Sequence, residues 1–278
     1  MDFTKMEAAG NDFIVFNGIK YNIEDYSKLA LKACDRHFGF GADGILVCEN
    51  SNIADIKMIY YNSDGSRGEM CGNGIRCFSK YVYEEGLVKK ETFTVDTLAG
   101  IKNVNLEVGN NEVKTVKVNM GRPIFDTKAI PVNIHKDKVI EETIEIDGQE
   151  IIFSSVLVGV PHTIIFVDNI KHIDINELGR KIETHPLFPT KTNVNFIEVI
   201  DRNNINIYTW ERGAGRTLGC GTGSCASVVI GKLIGKLGSI VHVNTEGGRL
   251  DINLEKDWEI YMTGGANRIC DGIFNDIF

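Results

Sequence analysis

The chain has 278 residues, enough for one large domain or two of ordinary size. Hydrophobic residues make up 43% and charged residues 24%, with no apolar run long enough for a membrane-spanning helix. The formal charge of −8 argues against nucleic acid as a partner. Seven cysteines, an odd number, follow an N-terminus with no basic region and apolar core, so reduced thiols in the cytoplasm are expected.

Taken in chain order, short β-branched runs bounded by Gly, Asn and Asp predict strands at 13–16, 45–47, 56–61, 92–96 and 113–119. Further strands are expected at 143–146, 151–158, 163–167, 196–200, 205–210, 240–244, 250–254 and 258–262. Helical spacing of apolar residues predicts helices at 24–36, 74–85, 175–183 and 223–237. Gly86 is placed to end the second, and Gly238 follows the fourth. The balance is α+β. The expected architecture is two pseudo-symmetric domains, each a curled, mostly antiparallel, barrel-like sheet around a central helix.

The duplication is read from a weak internal repeat. Cys71-Gly72-Asn73-Gly74 recurs as Cys220-Gly221-Thr222-Gly223, 149 residues later. The same shift carries Gly10-Asn11-Asp12-Phe13 onto Gly159-Val160-Pro161-His162, and Asn62 onto Glu211. The boundary is expected near Met120-Gly121-Arg122-Pro123. One domain would comprise 1–119 plus 264–278 and the other 120–263, with the active site in the cleft between them.

Each Cys-Gly-x-Gly motif lies between a Gly-rich turn and a buried helix, which sets its cysteine at a helix N-terminus. Unpaired N–H groups and the helix dipole there favour an anion. They can lower a thiol pKa or hold a substrate carboxylate. Two such cysteines facing one α-carbon could remove a proton from one side and return one to the other. That chemistry needs no cofactor. The cysteine spacings lack the short knuckles of a zinc site, so no metal is expected. Gly213-x-Gly215 lacks the full dinucleotide fingerprint. Cys77 and Cys225, one to two turns into their helices, read as buried structural thiols, as do Cys34, Cys48 and Cys270.

These motifs resemble the diaminopimelate epimerase family over nearly the whole chain. The residues that carry the resemblance are Gly10-Asn11-Asp12-Phe13, Gly41-Ala42-Asp43-Gly44, Asn62-Ser63-Asp64-Gly65-Ser66, 70–77, Pro161-His162, Asn193-Val194-Asn195-Phe196, Glu211-Arg212-Gly213 and Cys220-Gly221-Thr222-Gly223. The resemblance implies Cys71 and Cys220 as the acid/base pair, no pyridoxal phosphate or other cofactor, and a homodimer. It implies epimerisation of LL- to meso-diaminopimelate on the route to lysine and peptidoglycan. Asn11, Asn62, Asn193 and Arg212 are then substrate contacts, with Arg212 suited to a distal carboxylate. Glu211 would meet a substrate ammonium. Backbone N–H groups of Asn73, Gly74, Gly221 and Thr222 would cradle the α-carboxylate. His162 and Glu211 would assist the cysteines. Two positions depart from the family pattern: Val160 replaces an amide, and Arg216 replaces an acidic residue. A sister racemase of histidine, an epimerase of lanthionine, or a non-catalytic binding protein of the same fold are the alternatives.

Overall fold

A half-buried strand is stable only when both its edges and its apolar face are satisfied. In this chain two sets of strands meet that need in the same way. The computed structural model describes residues 1–275. They form two units, Met1–Asn119 with the segment starting at Thr263, and Met120–Met262.

In the first unit, neighbouring strands run in the order Asn267–Ile273, Asp2–Ala8, Asn11–Asn17, Gly44–Glu49, Ile56–Asn62, Thr92–Thr97, Gly100–Gly109 and Glu112–Gly121. Two of those pairings, Asn11–Asn17 with Gly44–Glu49 and Ile56–Asn62 with Thr92–Thr97, are parallel; the others are antiparallel. Helix α1, Tyr26–Cys34, packs on strands Gly44–Glu49 and Ile56–Asn62. Helix α2, Gly72–Glu84, packs on five strands and is buried without a break from Gly72 to Val82. A helix apolar on one face only could not be so covered. Here the two charged side chains inside find partners: Lys80 bonds Glu84 and the Val113 carbonyl, and Arg76 bonds the Gly72 and Gly265 carbonyls.

The second unit repeats this plan. Its strands follow the order Val139–Ile146, Gln149–Val158, Val160–Phe166, Asn193–Asp201, Asn204–Glu211, Ile240–Thr245 and Gly248–Leu254. Helix α3, Ile175–Glu183, lies on Asn193–Asp201 and Asn204–Glu211. Helix α4, Gly221–Leu233, is the buried central helix. The register repeats as well. Phe13 opposes Gly44 in one parallel pair, and His162 opposes Asn193 in the other, each residue shifted by 149. The fold is therefore α+β with a curled sheet in each unit that does not close.

Several boundaries differ from the sequence reading. Helix α4 stops at Leu233, not 237, because Gly235 takes a left-handed φ of 79°. Lys236 and Leu237 then donate back to the Gly231 carbonyl. Leu237 packs within 2.4 Å of where a Cβ on Gly231 would stand, which extended the apolar rhythm beyond the helix. The last predicted strand of the second unit begins at Ile260, since Trp258 has φ 68° and cannot start it. Strands Asp2–Ala8, Gly100–Gly109, Gly215–Thr217 and Asn267–Ile273 were not foreseen. Cys34 and Cys48 are buried as expected, but Cys270 is exposed, because six of the seven residues of Asn267–Ile273 are exposed. No described helix is long and apolar enough to cross a membrane.

Candidate active site

Each unit gathers its candidate residues at one end of three successive strands. In the first unit, Asn11 opens one strand, Gly44 opens the next in parallel, and Asn62 closes the third in register with Gly44. Cys71 caps α2 with an extended backbone (φ −131°, ψ 124°), and its sulfur accepts the Gly74 N–H at 3.4 Å. The sulfur also donates to Asn11 Oδ1 at 3.5 Å, an oxygen shared with Asn73 Nδ2. Asn11 is held by Asp43, whose Oδ2 accepts both the Asn11 amide at 2.6 Å and the Asp12 N–H at 3.2 Å. Asp12 returns the contact by accepting the Asp43 N–H, and Lys5 and Arg36 neutralise the two carboxylates. Asn62 donates to Ser66 Oγ and accepts from Tyr60.

The second unit furnishes the same frame differently. Cys220 caps α4 with φ −114° and ψ 114°, and accepts the Gly223 N–H at 3.4 Å. Thr222 Oγ1 lies 3.4 Å from its sulfur. Where Asn62 stands in the first unit, Glu211 stands here, fixed by Thr217 Oγ1 at 2.6 Å and hydrogen-bonded to the Cys220 thiol. Burial, first, and the Glu211 charge, second, push the Cys220 thiol well above its ordinary pKa. The expected lowering by the helix end is present through Gly223 but is outweighed.

His162 takes the place of Phe13 and is completely buried. Its Nδ1 lies 3.2 Å from Asn195 Nδ2. Asn195 is oriented by Thr209, which donates to its Oδ1, and by the Thr163 carbonyl, which accepts from its Nδ2. Asn195 therefore donates to His162 Nδ1, and the proton of the neutral ring is assigned to Nε2. Among the described residues that Nε2 has no hydrogen-bond partner. Burial, with a smaller contribution from Arg212, lowers the His162 pKa to about 3.

Asn193 is buried and braces its own loop: it donates to the Pro161 carbonyl and accepts the Arg212 N–H at 2.9 Å. Arg212 is exposed, with Nη1 on the Thr190 carbonyl. Helix geometry leaves residues 72–73 and 221–222 without intrahelical acceptors for their N–H groups, since Ile75 and Ser224 make the first helical bonds. Arg216, the charge reversal, is engaged by both oxygens of Glu246 and lies over the Tyr208 ring. Cys77 and Cys225 are fully buried, and burial raises the Cys77 thiol strongly. Among the described residues no three His, Cys, Asp or Glu side chains gather as metal ligands. Asp43 and Asn195 carry roles that sequence reasoning left unassigned, though both lie inside motifs it singled out. Glu183 and Thr217 gave no sequence signal.

The sequence model for diaminopimelate epimerase matches residues 3–125 and 154–269. The chain belongs to the diaminopimelate epimerase family. A protein of that name from Caldanaerobacter subterraneus subsp. tengcongensis is 52% identical over 98% of both chains. Another, from Methanococcus maripaludis strain C6, is 44% identical over 98% of this chain and 99% of its own. Among solved structures, a probable proline racemase from Agrobacterium radiobacter K84 has a TM-score of 0.75 at 14% identity, covering 99% of this chain and 93% of its own. A phenazine biosynthesis protein of the PhzF family from Bacillus anthracis has a TM-score of 0.70 at 17% identity, covering 98% of both. At those identities the likeness is one of fold.

Proposed function

We propose that this chain epimerises LL-diaminopimelate to meso-diaminopimelate by two-base proton transfer between Cys71 and Cys220, without a cofactor. The observation that carries this reading is the pair of N-cap cysteines. Each caps its helix in the same turn of a duplicated unit, with Asn11 beside Cys71 and Glu211 beside Cys220. Two-base epimerisation needs one sulfur to hold a proton while the other lacks one. Cys220, with Glu211 beside it, holds the proton at rest.

In this reading one amino-acid substrate meets Cys71 and Cys220, one on each face of its α-carbon. The helix-end N–H groups at Asn73, Gly74, Gly221 and Thr222 bind the α-carboxylate and stabilise the charge that spreads onto it as the proton leaves. Arg212 takes the distal carboxylate as a fork, and Asn11, Asn62, Asn193 and Glu211 read the substrate's polar ends. His162, neutral, helps to tune the cysteines. The enzyme works in the cytoplasm, where thiols stay reduced. It is a homodimer, and the strand Asn267–Ile273, which exposes Ile269 and Ile273, is a candidate for the surface that joins the copies.

The deciding experiment is α-hydrogen exchange in deuterated water without added cofactor, with LL-diaminopimelate, meso-lanthionine and L-histidine offered side by side. Exchange and epimerisation of diaminopimelate alone is the expected result. Exchange only on another substrate keeps the two-cysteine chemistry and removes the substrate assignment. Full activity in Cys71→Ala or Cys220→Ala removes the two-base mechanism.

A further inference from the structure

The dipeptide Glu211-Arg212 bears the carboxylate beside Cys220 and the guanidinium assigned to the distal carboxylate. It lies at the end of strand Asn204–Glu211, where the ladder to Asn193–Asp201 finishes at the pair Val194 and Trp210. Beyond that pair no further strand bonds fix the backbone to its neighbour in that ladder. Glu211 is paired with Gly215 and bonded by Thr217, and Asn193 takes the Arg212 N–H; on the α3 side a buried carboxylate adds a contact to each flank. Glu183, the last residue of that helix, is 5% exposed. Its Oε2 accepts the indole N–H of Trp210 at 2.7 Å, and its Oε1 accepts the backbone N–H of Gly213 at 3.1 Å. Trp210 and Gly213 are the residues on either side of the dipeptide.

The neighbours suit this arrangement. Gly179, one turn earlier on α3, has no side chain, and a Cβ there would fall 2.7 Å from Trp210 Cβ and Cγ. The indole is thus seated against the helix backbone, in reach of Glu183. Lys191 Nζ lies 3.4 Å from Oε1 and offsets the buried charge. Asn193 holds the Arg212 N–H between the two Glu183 contacts. A carboxylate offers only acceptors, so one group can meet all these donors; an amide would turn an N–H against one of them.

We propose that Glu183 is a positioning residue that sets the stance of Arg212 toward substrate by clamping both flanks of the Glu211-Arg212 dipeptide. The inference rests on the reading of Arg212 as a substrate contact. It acts through Arg212 and touches no reacting atom.

A double-mutant cycle in the full-length enzyme tests it, with KM for diaminopimelate measured in wild type, Glu183→Gln, Arg212→Ala and the double variant. Glu183→Gln is expected to raise KM about tenfold, the usual scale for losing a hydrogen bond to a charged group. In the Arg212→Ala background it should add less than about twofold, because the residue it positions is gone. The chain has two tryptophans, Trp210 and Trp258. In a Trp258→Phe background, Glu183→Gln should also shift the Trp210 emission. Trp210→Phe, which breaks one flank and keeps the carboxylate, should raise KM by a smaller factor that again vanishes without Arg212. This second variant decides the matter if Glu183→Gln does not fold. An equal fold-loss from either variant with and without Arg212 overturns the clamp. So does an unchanged KM in the first variant that folds. If Arg212→Ala alone leaves KM unchanged, the Arg212 assignment falls and the clamp with it; an additive cycle over a sensitive Arg212 overturns the clamp alone.

Discussion

Asp43 accepts the side-chain N–H of Asn11 at 2.6 Å, and that bond decides which end of the Asn11 amide meets Cys71. With Nδ2 tied to the carboxylate, Oδ1 is left facing the sulfur at 3.5 Å. An amide that could flip would present either a donor or an acceptor to the thiol. Asp43→Ala is therefore expected to lower kcat/KM about tenfold, the scale of one lost charge-assisted hydrogen bond. Some stability should be lost as well, because Oδ2 also accepts the Asp12 N–H, while the exposed ion pair with Arg36 contributes about 0–1 kcal/mol. Steady-state kinetics beside a thermal melt would check both. A large loss of stability with intact kinetics would show that Asp43 merely ties strands together.

Gly74 and Gly223 occupy the same turn of the two central helices, but they do not have the same room. A Cβ on Gly223 would stand 2.3 Å from Asn195 Oδ1, an atom pinned by Thr209. On Gly74 the tightest approaches are 3.3 Å, to Cys71 Cβ and Leu46 Cδ2. Alanine also removes glycine's entropic cost in a helix, about 0.5–1 kcal/mol. Gly223→Ala should therefore lose about 1–3 kcal/mol through overpacking, while Gly74→Ala stays near neutral. Chemical denaturation of the two variants gives the comparison, and equal losses would contradict it.

Removing the Glu211 charge should make Cys220 a better nucleophile. Burial remains the larger cause of its raised pKa, but the second cause disappears in Glu211→Gln. Each unit by which the thiol pKa falls raises the thiolate fraction about tenfold at a pH below it. Alkylation by iodoacetamide at pH 8, mapped to the Cys220 peptide, should be faster in the variant than in wild type. An unchanged or slower rate would mean that Glu211 does not govern this sulfur.

His162 ties stability to pH with a definite sign. Its pKa is lowered to about 3 in the folded state from 6.5. Between those values the unfolded chain takes up a proton that the folded chain refuses, so acid favours unfolding. The contribution is fully present above pH 6.5 and declines by about 1.4 kcal/mol for each pH unit below it, until the folded imidazole also titrates. His162→Asn should flatten this part of the stability curve. Unfolding free energies at pH 5 and 7 in both proteins would show it, and equal pH slopes would refute it.

Much of this architecture is legible in the sequence because burial imposes periodicity. The central helices begin within two residues of expectation, and α3 spans the expected residues. Asp2–Ala8 escaped notice because Asp2 and Thr4 dilute the side that Met6 and Ala8 carry, and Asn267–Ile273 because exposure leaves it no apolar face. Cys71, Cys220 and Glu211 could be named from motif repetition. Glu183 could not, since a glutamate closing an amphipathic helix looks like a solvated helix end. Only the return of the chain to place Trp210 and Gly213 against it reveals its use. The pKa of Cys220 was beyond reach for a related reason. The helix end is local and readable, whereas the burial that outweighs it is not.

The repeated register of the two units has a kinetic consequence. Under the proposed two-cysteine chemistry, the side chains that differ between the repeats, Asn62 against Glu211 foremost, are where the enzyme itself can treat the two stereoisomers differently. The Haldane relation ties the ratio of kcat/KM in the two directions to the equilibrium constant of the reaction, which no substitution in the enzyme can move. Exchanging the pair, as Asn62→Glu with Glu211→Asn, could redistribute kcat and KM between the two stereoisomers while leaving that ratio where the substrates put it.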